Sequence, residues 1–206
     1  VVNDVVRAVD GTVWVGSQDG LRRLRDNRLE QFWGVAEGLP GAQVWTLLED
    51  RAGTIWIGTN EGLATWRQGE LRVVPGAPAG RHILSLGQDH DDNSWVGTWR
   101  SGAFRFDGEQ WRQYTPADGL AGIEIDEILT DADGRVWLGG WQAGVAIVAG
   151  DSLQLLSTAD GLAHNTVMAL HIDPEGRVWV GTEDGLNLWT GDGFVTFGSE
   201  DGMAHN

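Results

Sequence analysis

Five tryptophans recur at nearly constant intervals along the 206 residues of the chain. They are Trp14, Trp56, Trp95, Trp137 and Trp179. Units that begin 13 residues before each tryptophan are 1–42, 43–81, 82–123, 124–165 and 166–206, and together they use every residue. A period of about 40 residues without remainder predicts one repeat array over residues 1–206, with no linker and no second domain.

Each unit contains four short apolar segments separated by turn residues. In the fifth unit the segments are VMALHI, RVWVGT, LNLW and FVTF, and the turns between them are PEG, EDG and GDG. The first segments of the five units read VNDVVR, VWTLLE, ILSLGQ, IDEILT and VMALHI. Short β-branched and aromatic runs between Gly and Asp turns are typical of a four-stranded antiparallel meander.

The fourth segment is apolar at both ends in every unit, as in Phe194 to Phe197. A sheet with apolar residues on both faces must be covered on both sides, so neighbouring units must stack on one another. Stacked four-stranded units of this length are typical of a β-propeller, whereas the coils of a parallel β-helix are shorter. We therefore predict an all-β propeller of five four-stranded antiparallel blades, each formed by one unit.

The repeat register continues across the two ends of the chain. Asn165 precedes Trp179 by 14 residues, and Asn206 would precede Trp14 by 14 residues if the ends were joined. An open arc would leave two apolar sheet faces bare. We therefore expect the five blades to close into one ring, and we expect a monomer rather than an oligomer.

Composition disfavours several partners. The chain has 14 Lys and Arg against 30 Asp and Glu, a formal net charge of -16, which repels nucleic acids and anionic membrane surfaces. No apolar run approaches the ~18 residues that cross a bilayer, and the N-terminus carries no leader pattern. We expect no nucleic-acid partner and no membrane insertion, and any export signal to be absent or removed. Cysteine is absent, which excludes disulfides. This absence does not distinguish an oxidising from a reducing cellular compartment, because proteins of oxidising compartments do not all contain disulfides.

One segment, DGLAHNTVMALHIDPEGRVWVGTEDGL at 160–186, is echoed twice in the chain. The echoes are EGLPGAQVWTLLEDRAGTIWIGTNEGL at 37–63 and ADGLAGIEIDEILTDADGRVWLGG at 117–140. Their Gly-Leu, aliphatic, Asp, Gly and Trp positions recur in register, and this pattern resembles the two-component-regulator propeller repeat. The resemblance implies a periplasmic or extracellular bacterial sensor module that binds a ligand, often a carbohydrate. It also implies a histidine kinase or another signalling domain in the parent protein.

Four carboxylates lie six residues before their tryptophans: Asp50, Asp89, Asp131 and Asp173. Asp89, Asp91 and Asn93 place oxygen ligands at alternate positions, as in a calcium loop, but Ser94 and Arg100 stand where such a loop requires Gly and Glu. Asp and Asn also start tight turns by bonding their own backbone. We therefore interpret these residues as turn formers and predict no metal site.

A His-Asn pair precedes the first strand twice, at His164 and Asn165 and again at His205 and Asn206. The family pattern makes the asparagines structural loop residues. The histidines lack a third ligand or a spaced carboxylate, so we predict neither a metal nor another cofactor.

The turn between the second and third strands distinguishes two of the units. In units three and four this turn is one residue longer and contains a tryptophan, in GTWRSG at 97–102 and GGWQAG at 139–144. In an antiparallel meander this turn lies at the same end of the strands as the loop that enters the first strand. In a propeller, the turn and the loop therefore lie on the same face of the disc. The predicted ligand-binding residues on that face are Trp99, Arg100, Trp141, Gln142, Arg81, His82 and Glu124.

Two indoles in turns are costly to leave exposed and suit stacking on a sugar ring. Neighbouring Gln, Arg and His donors suit hydroxyls or a carboxylate. Acidic residues such as Asp19 and Glu61 in the equivalent turns of other blades disfavour a strongly anionic polymer. We therefore predict a neutral or weakly acidic oligosaccharide; the alternative is that Trp99 and Trp141 pack on each other at the mouth of the channel.

Three functions remain open from the sequence. The first is a ligand-binding sensor module of a bacterial signalling protein. The second is a structural or protein-interaction scaffold, cut from a longer repeat array, with no small ligand. The third is a propeller lyase of the streptogramin-inactivating type, because a His and a Glu on one face suffice for elimination. No nucleophile elbow, phosphate loop or paired-carboxylate motif is present, so we expect no enzyme and assign no catalytic residue.

Overall fold

The computed structural model describes residues 1–26 and 28–203, which form five four-stranded sheets. Blade 1 consists of β1 (Val2–Arg7), β2 (Val13–Ser17), β3 (Gly20–Arg25) and β4 (Arg28–Trp33). Blade 2 consists of β5 (Val44–Glu49), β6 (Ile55–Thr59), β7 (Gly62–Arg67) and β8 (Glu70–Val73). Blade 3 consists of β9 (Ile83–Gln88), β10 (Ser94–Thr98), β11 (Ala103–Phe106) and β12 (Trp111–Tyr114). Blade 4 consists of β13 (Glu127–Thr130), β14 (Val136–Gly139), β15 (Val145–Ala149) and β16 (Ser152–Leu156). Blade 5 consists of β17 (Val167–Ile172), β18 (Val178–Thr182), β19 (Gly185–Trp189) and β20 (Phe194–Phe197).

Strands that follow one another in sequence pair antiparallel in every blade, so the predicted meanders are confirmed. Short 3-10 helices end blades 1, 3, 4 and 5, at Val35–Glu37, Pro116–Asp118, Thr158–Asp160 and Ser199–Asp201. In the fourth blade the first strand begins at Glu127 rather than at Ile125. The Ile125 N–H donates to the carbonyl of Thr98 in blade 3, at 3.0 Å, as the equivalent Val167 N–H does to Gly140 in blade 4.

The first strands of successive blades lie side by side, from β1 to β5, β9, β13 and β17. They therefore surround a common axis, and each fourth strand lies at the outside, which is the arrangement of a propeller. No helix in the described part of the chain is long and apolar enough to span a bilayer.

Successive blades pack on each other at a glycine. The glycine belongs to one blade, and a β-branched side chain of the next blade packs against it. The glycine lies two residues after each blade tryptophan, and the β-branched residue lies twelve residues before the next one. These pairs are Gly16 with Val44, Gly58 with Ile83, Gly97 with Ile125, and Gly139 with Val167. A Cβ at Gly139 would lie 2.6 Å from Cγ1 of Val167, so only glycine leaves room. We call the glycine the socket and the β-branched side chain the knob.

The predicted closure of the ring is not observed in the described residues. Val2, the knob of blade 1, is 59% exposed, whereas the other four knobs are buried. A Cβ at Gly181, the socket of blade 5, would lie closest to Ala169 of its own blade. Four blade tryptophans are buried as predicted, but Trp179 is only half-buried, because no blade covers it on that side. Asn206, on which the register argument for closure depended, lies outside the described residues.

Candidate functional site

The four aspartates that precede the tryptophans bind the backbone and the indole of their own blade, and two of them, Asp89 and Asp131, are buried. Oδ2 of Asp131 accepts a hydrogen bond from Nε1 of Trp137 at 2.7 Å, while its Oδ1 accepts the backbone N–H groups of Asp133 and Arg135. Asp89 makes the same bonds and also binds the amide of Asn93. The interpretation of these residues as turn formers is confirmed, and each carboxylate also fixes the indole behind it.

The loop histidine and asparagine before blade 5 have similar structural partners. Nδ1 of His164 accepts the N–H of Thr166 at 3.0 Å, and Oδ1 of Asn165 accepts the N–H of Thr158 at 2.9 Å. Asn165 is thus a loop-forming residue, as predicted. His205, which was singled out with it, lies outside the described residues.

The two turn tryptophans are the most exposed indoles of the candidate face. Trp99 is 40% exposed and Trp141 is 51% exposed. The turn that carries Trp99 is held to the loop into the same blade, because the Trp99 N–H donates to the carbonyl of His82 at 3.1 Å. This bond fixes the backbone of the turn at Trp99.

Trp99 belongs to a layered stack of four side chains: Trp45, His82, Trp99 and Arg100. The rings of Trp45 and His82 are 6.4 Å apart and those of His82 and Trp99 are 5.1 Å apart, with interplanar angles of 22° and 27°. The Arg100 guanidinium lies 4.3 Å from the centre of the Trp99 ring. The ring that lies against Trp99 is therefore His82, so the alternative in which Trp99 packs on Trp141 is not observed. We call these four residues the indole stack.

A group of carboxylates lies beside the indole stack. Burial and the charge of Asp126 raise the pKa of Glu124, while Arg100 and a hydrogen bond from Trp99 oppose that rise. Burial also raises the pKa of Asp126, against a hydrogen bond from the Trp141 backbone. Asp126 therefore links the Trp141 turn to the part of the face that carries Trp99. The surface that results is aromatic and acidic.

Arg81 and Gln142 complete the predicted set, but at its edges. The Arg81 guanidinium donates to Oγ of Ser101, within the turn that carries Trp99. Gln142 adopts a left-handed backbone conformation, with φ of 51°, and its N–H points toward Oγ1 of Thr166 in blade 5 at 3.4 Å. The structure thus brings Arg81, His82, Trp99, Arg100 and Glu124 together. It places Trp141 and Gln142 in the adjacent blade, toward blade 5.

Sequence reasoning missed Trp45 and Asp126, which occupy the same position of the repeat, within the first strand of blade 2 and directly before the first strand of blade 4. In blade 2 the β5–β6 register shifts between Val44 and Thr46, and this bulge gives Trp45 the orientation that stacks it on His82. The available signal is the position eleven residues before each blade tryptophan. It carries Asn3, Trp45, Leu84, Asp126 and Met168, so it varies between blades while the position before it is always Val or Ile.

A cavity of about 320 Å³ lies between the first strands, and Trp45 belongs to both this cavity and the indole stack. Its polar lining includes Asp4, Ser85, Asp126 and Glu127. Burial raises the pKa of Glu127, while a hydrogen bond from the Leu170 backbone opposes this rise. The cavity extends the candidate face toward the axis, and its carboxylates disfavour an anionic group there.

A larger groove, of about 870 Å³, lies at the outer edge between blades 2 and 3. It is lined by residues of β7 and β8 and by Phe106. Among the described residues, blade 2 is the one blade that is not followed by a 3-10 helix. Of its two arginines, Arg67 and Arg72, the second is already paired with Glu70. It has no exposed indole and none of the predicted ligand-binding residues, so we retain the face of the indole stack as the candidate site.

The comparisons with known proteins confirm the resemblance found in the sequence. Residues 38–61 and 161–184 match the family model described as a two component regulator propeller. No curated protein matches the chain in sequence.

Similar solved structures show the β-propeller fold. The extracellular domain of a hybrid two-component system from B. thetaiotaomicron has a TM-score of 0.85 and 21% identity, over 98% of this chain and 29% of that one. The extracellular domain of a one-component system from the same organism has a TM-score of 0.80 and 19% identity, over 96% of this chain and 31% of that one. Virginiamycin B lyase from Staphylococcus aureus has a TM-score of 0.72 and 13% identity, over 96% of this chain and 69% of that one. The chain therefore spans less than a third of the length of the two extracellular domains.

Proposed function

We propose that this chain is the ligand-binding propeller of an extracytoplasmic bacterial sensor and that it binds a neutral oligosaccharide on the face of Trp99 and Trp141. The observation that carries the proposal is the Trp99 ring, which the contacts of the indole stack order and which stays 40% exposed. The match to the two-component-regulator repeat and the extracellular sensor domains of similar fold support the sensor assignment. The signalling output would then belong to the parent protein.

The indole stack favours binding because it orders Trp99 before any ligand arrives. His82 and Arg100 lie against the ring at 5.1 Å and 4.3 Å, so the side chain loses little further freedom on binding. His82 and Arg100 lie over the ring itself, so the part of Trp99 that can meet the CH groups of a pyranose is the 40% that stays exposed. Trp141, in the next blade, is 51% exposed and offers a second apolar surface.

Polar groups around the two rings match the hydroxyls of a sugar. The Glu124 carboxylate accepts hydrogen bonds, and the Arg100 guanidinium and the Gln142 amide donate them. A few polar groups around an apolar platform are typical of sites that orient a polyhydroxylated ligand.

Charge selects the neutral sugar over the acidic one. Glu124, Asp126 and Glu127 lie on or beside the platform, and the pKa of each carboxyl is raised by burial. A ligand carboxylate placed among them would add another negative charge, and Arg100 already offsets the charge of Glu124. The structure therefore supports the neutral half of the ligand class predicted from the sequence.

The proposal is tested by calorimetric titration of neutral gluco-, manno- and xylo-oligosaccharides into the native chain. Removing both rings in the Trp99→Ala, Trp141→Ala variant should weaken binding by about 5- to 150-fold, because each stacked ring contributes ~0.5–1.5 kcal/mol. Phe32→Ala is the matched control, since Phe32 is also 40% exposed and also lies against an arginine, Arg22. Equal losses in the two variants would place the site elsewhere.

The other two functions give different results in the same experiments. A scaffold would release no heat with any sugar and would retain a protein partner instead. A lyase would consume its substrate, and turnover would disappear in a His82→Ala variant. The similarity to virginiamycin B lyase is one of fold, so a turnover assay with a streptogramin B is the direct check of that function.

A further inference from the structure

Blade 2 carries small side chains at two positions where blades 1 and 3 carry large ones. The first position pairs with the blade tryptophan across the second and third strands, and the second position lies at the end of the fourth strand or directly after it. The residues at these two positions are Arg23 and Trp33 in blade 1, Arg105 and Tyr114 in blade 3, and Thr65 and Val74 in blade 2.

In blade 1 the two large side chains fill the cleft toward blade 2. Trp33 stacks on Trp14 with 5.5 Å between the ring centres. The Arg23 guanidinium lies 5.9 Å from the Trp14 ring and 5.5 Å from the ring of Trp66, which belongs to blade 2. The cavity that remains in this cleft has a volume of about 320 Å³.

In the cleft between blades 2 and 3 the corresponding rings are Trp56 and Phe106. Thr65 stands where Arg23 lies between the rings of the first cleft, and its short side chain cannot fill the same space. The cavity in this cleft has a volume of about 870 Å³, and both rings line it. We call this cavity the outer groove. Its size lies within the range of about 300–1,000 Å³ that is typical of sites for small molecules.

The outer groove has an apolar part and one cation without an ion pair. Trp56, Phe106 and Pro75 supply the apolar part. Arg67 also lines the groove; its side chain is exposed and forms no ion pair with any described residue, whereas Arg72 is bound to Glu70. A free guanidinium in a chain with a net charge of -16 is a local site for an anion, and its two parallel N–H groups match a carboxylate.

A second cavity, of about 350 Å³, adjoins the outer groove and shares Trp56 and Phe106 with it. Its lining is acidic, with Asp50, Asp91, Asp92 and Asp107, and its one arginine, Arg51, is bound to Asp92. These carboxylates repel an anion, so a ligand carboxylate is favoured on the side of Arg67.

We propose that the outer groove is a second binding site and that it takes a small aromatic carboxylate. The ligand ring packs against Trp56 and Phe106, and the ligand carboxylate accepts hydrogen bonds from Arg67. This site lies at the outer edge of the propeller and does not depend on a ligand at Trp99 and Trp141. It also differs from the proposed sugar site in charge, because the sugar site disfavours anions.

The probe is trans-cinnamate, and trans-cinnamamide is the matched ligand with the same ring and no charge. Two variants separate the parts of the site. Arg67→Ala removes the cation, and Thr65→Ile fills the groove with the residue type that blade 4 carries at the same position, Ile147. Arg7→Ala is the control, because Arg7 is also an exposed arginine at the end of a strand and lies outside the groove.

Calorimetric titration at low ionic strength measures the affinity of each protein for the two probes. We expect the native chain and Arg7→Ala to bind cinnamate about tenfold more tightly than cinnamamide, as for a hydrogen bond to a charged group. Arg67→Ala should bind both probes equally, and Thr65→Ile should bind neither. A native chain that does not bind cinnamate, or a preference for cinnamate that persists in Arg67→Ala, would overturn the proposal. Loss of cinnamate binding in the Trp99→Ala, Trp141→Ala variant would overturn it as well, because the probe would then occupy the other site.

Discussion

Asp126 holds a partly buried charge on the candidate face. Burial raises its pKa above the ordinary 3.8, against a hydrogen bond from the Trp141 backbone. A carboxyl with a raised folded-state pKa lowers stability while it is ionised, and that loss disappears as the pH falls through the folded-state pKa. Asp126→Asn should therefore stabilise the protein at neutral pH, and the difference from the native chain should shrink as the pH falls toward 3.8.

Thermal unfolding over a pH series measures this difference. Asp151→Asn is the control, because the Asp151 side chain is 98% exposed and its unfolding temperature should barely change. An Asp126→Asn variant less stable than the native chain at neutral pH would show that the charge is needed for a contact of the fold.

The pKa of Asp173, the aspartate that binds Trp179 in blade 5, is lowered, so its charge should stabilise the fold, unlike that of Asp126. Burial opposes its ionisation, but hydrogen bonds from Trp179 and Arg177 lower its pKa to about 2. A lowered carboxyl pKa contributes stability above the unfolded value of 3.8, and the contribution is lost as the pH falls from there to about 2. In acid titrations the native chain should therefore lose more stability over this range than an Asp173→Asn variant. Parallel acid-unfolding curves for the two proteins would contradict this assignment.

Trp137 and Trp141 lie four residues apart and have opposite environments. Trp137 is fully buried, binds Asp131 and packs against Trp189 at 5.5 Å, whereas Trp141 is 51% exposed. Trp137→Ala should cost about 3–5 kcal/mol of unfolding free energy, as for other buried aromatics. Trp141→Ala should cost about 0.5 kcal/mol or less, as for surface positions. Denaturant unfolding checks both, and similar losses would mean that Trp141 is a core residue and no ligand platform.

At the scale of the blade, the socket glycines give a matched pair of substitutions. Gly139→Ala would place a Cβ 2.6 Å from Val167, and overpacking of this kind costs about 1–3 kcal/mol. Gly181→Ala meets only Ala169, at 3.6 Å, so its effect on stability should be close to zero. Equal destabilisation of both variants would show that another blade packs against Gly181 in the single chain.

The blades themselves could be predicted because each strand is specified locally. Alternating apolar residues and the Asp-Gly turns fix the four strands of a unit, and the repeat of Trp95 at Trp137 and Trp179 fixes their register. The face of Trp99 and Trp141 could be predicted for the same reason, since the side of a hairpin turn follows from strand order. The contribution of Trp45 to this face could not be predicted. Its orientation depends on a β-bulge that shifts the β5–β6 register, and no residue type marks that bulge.

For the whole molecule, the repeat determines which residues meet between blades but not the angle at which blades meet. Closure depends on that angle summed over all the blades, and a small change at each interface decides whether the ends touch. The sequence register at Asn165 is therefore compatible with both a ring and an arc. In the structure, Val2 remains exposed and the arc stays open among the described residues.

The most direct test of the ligand site follows the indole N–H resonances of the twelve tryptophans by two-dimensional NMR. Trp99→Phe and Trp141→Phe assign the two turn indoles, and the probe is the neutral oligosaccharide that gives the strongest calorimetric response. We predict that the probe shifts the resonances of Trp99, Trp141 and Trp45 and leaves those of the core residues Trp14 and Trp95 in place. Shifts confined to Trp111, at the outer edge of blade 3, or no shift with any neutral sugar, would contradict a sugar site on this face.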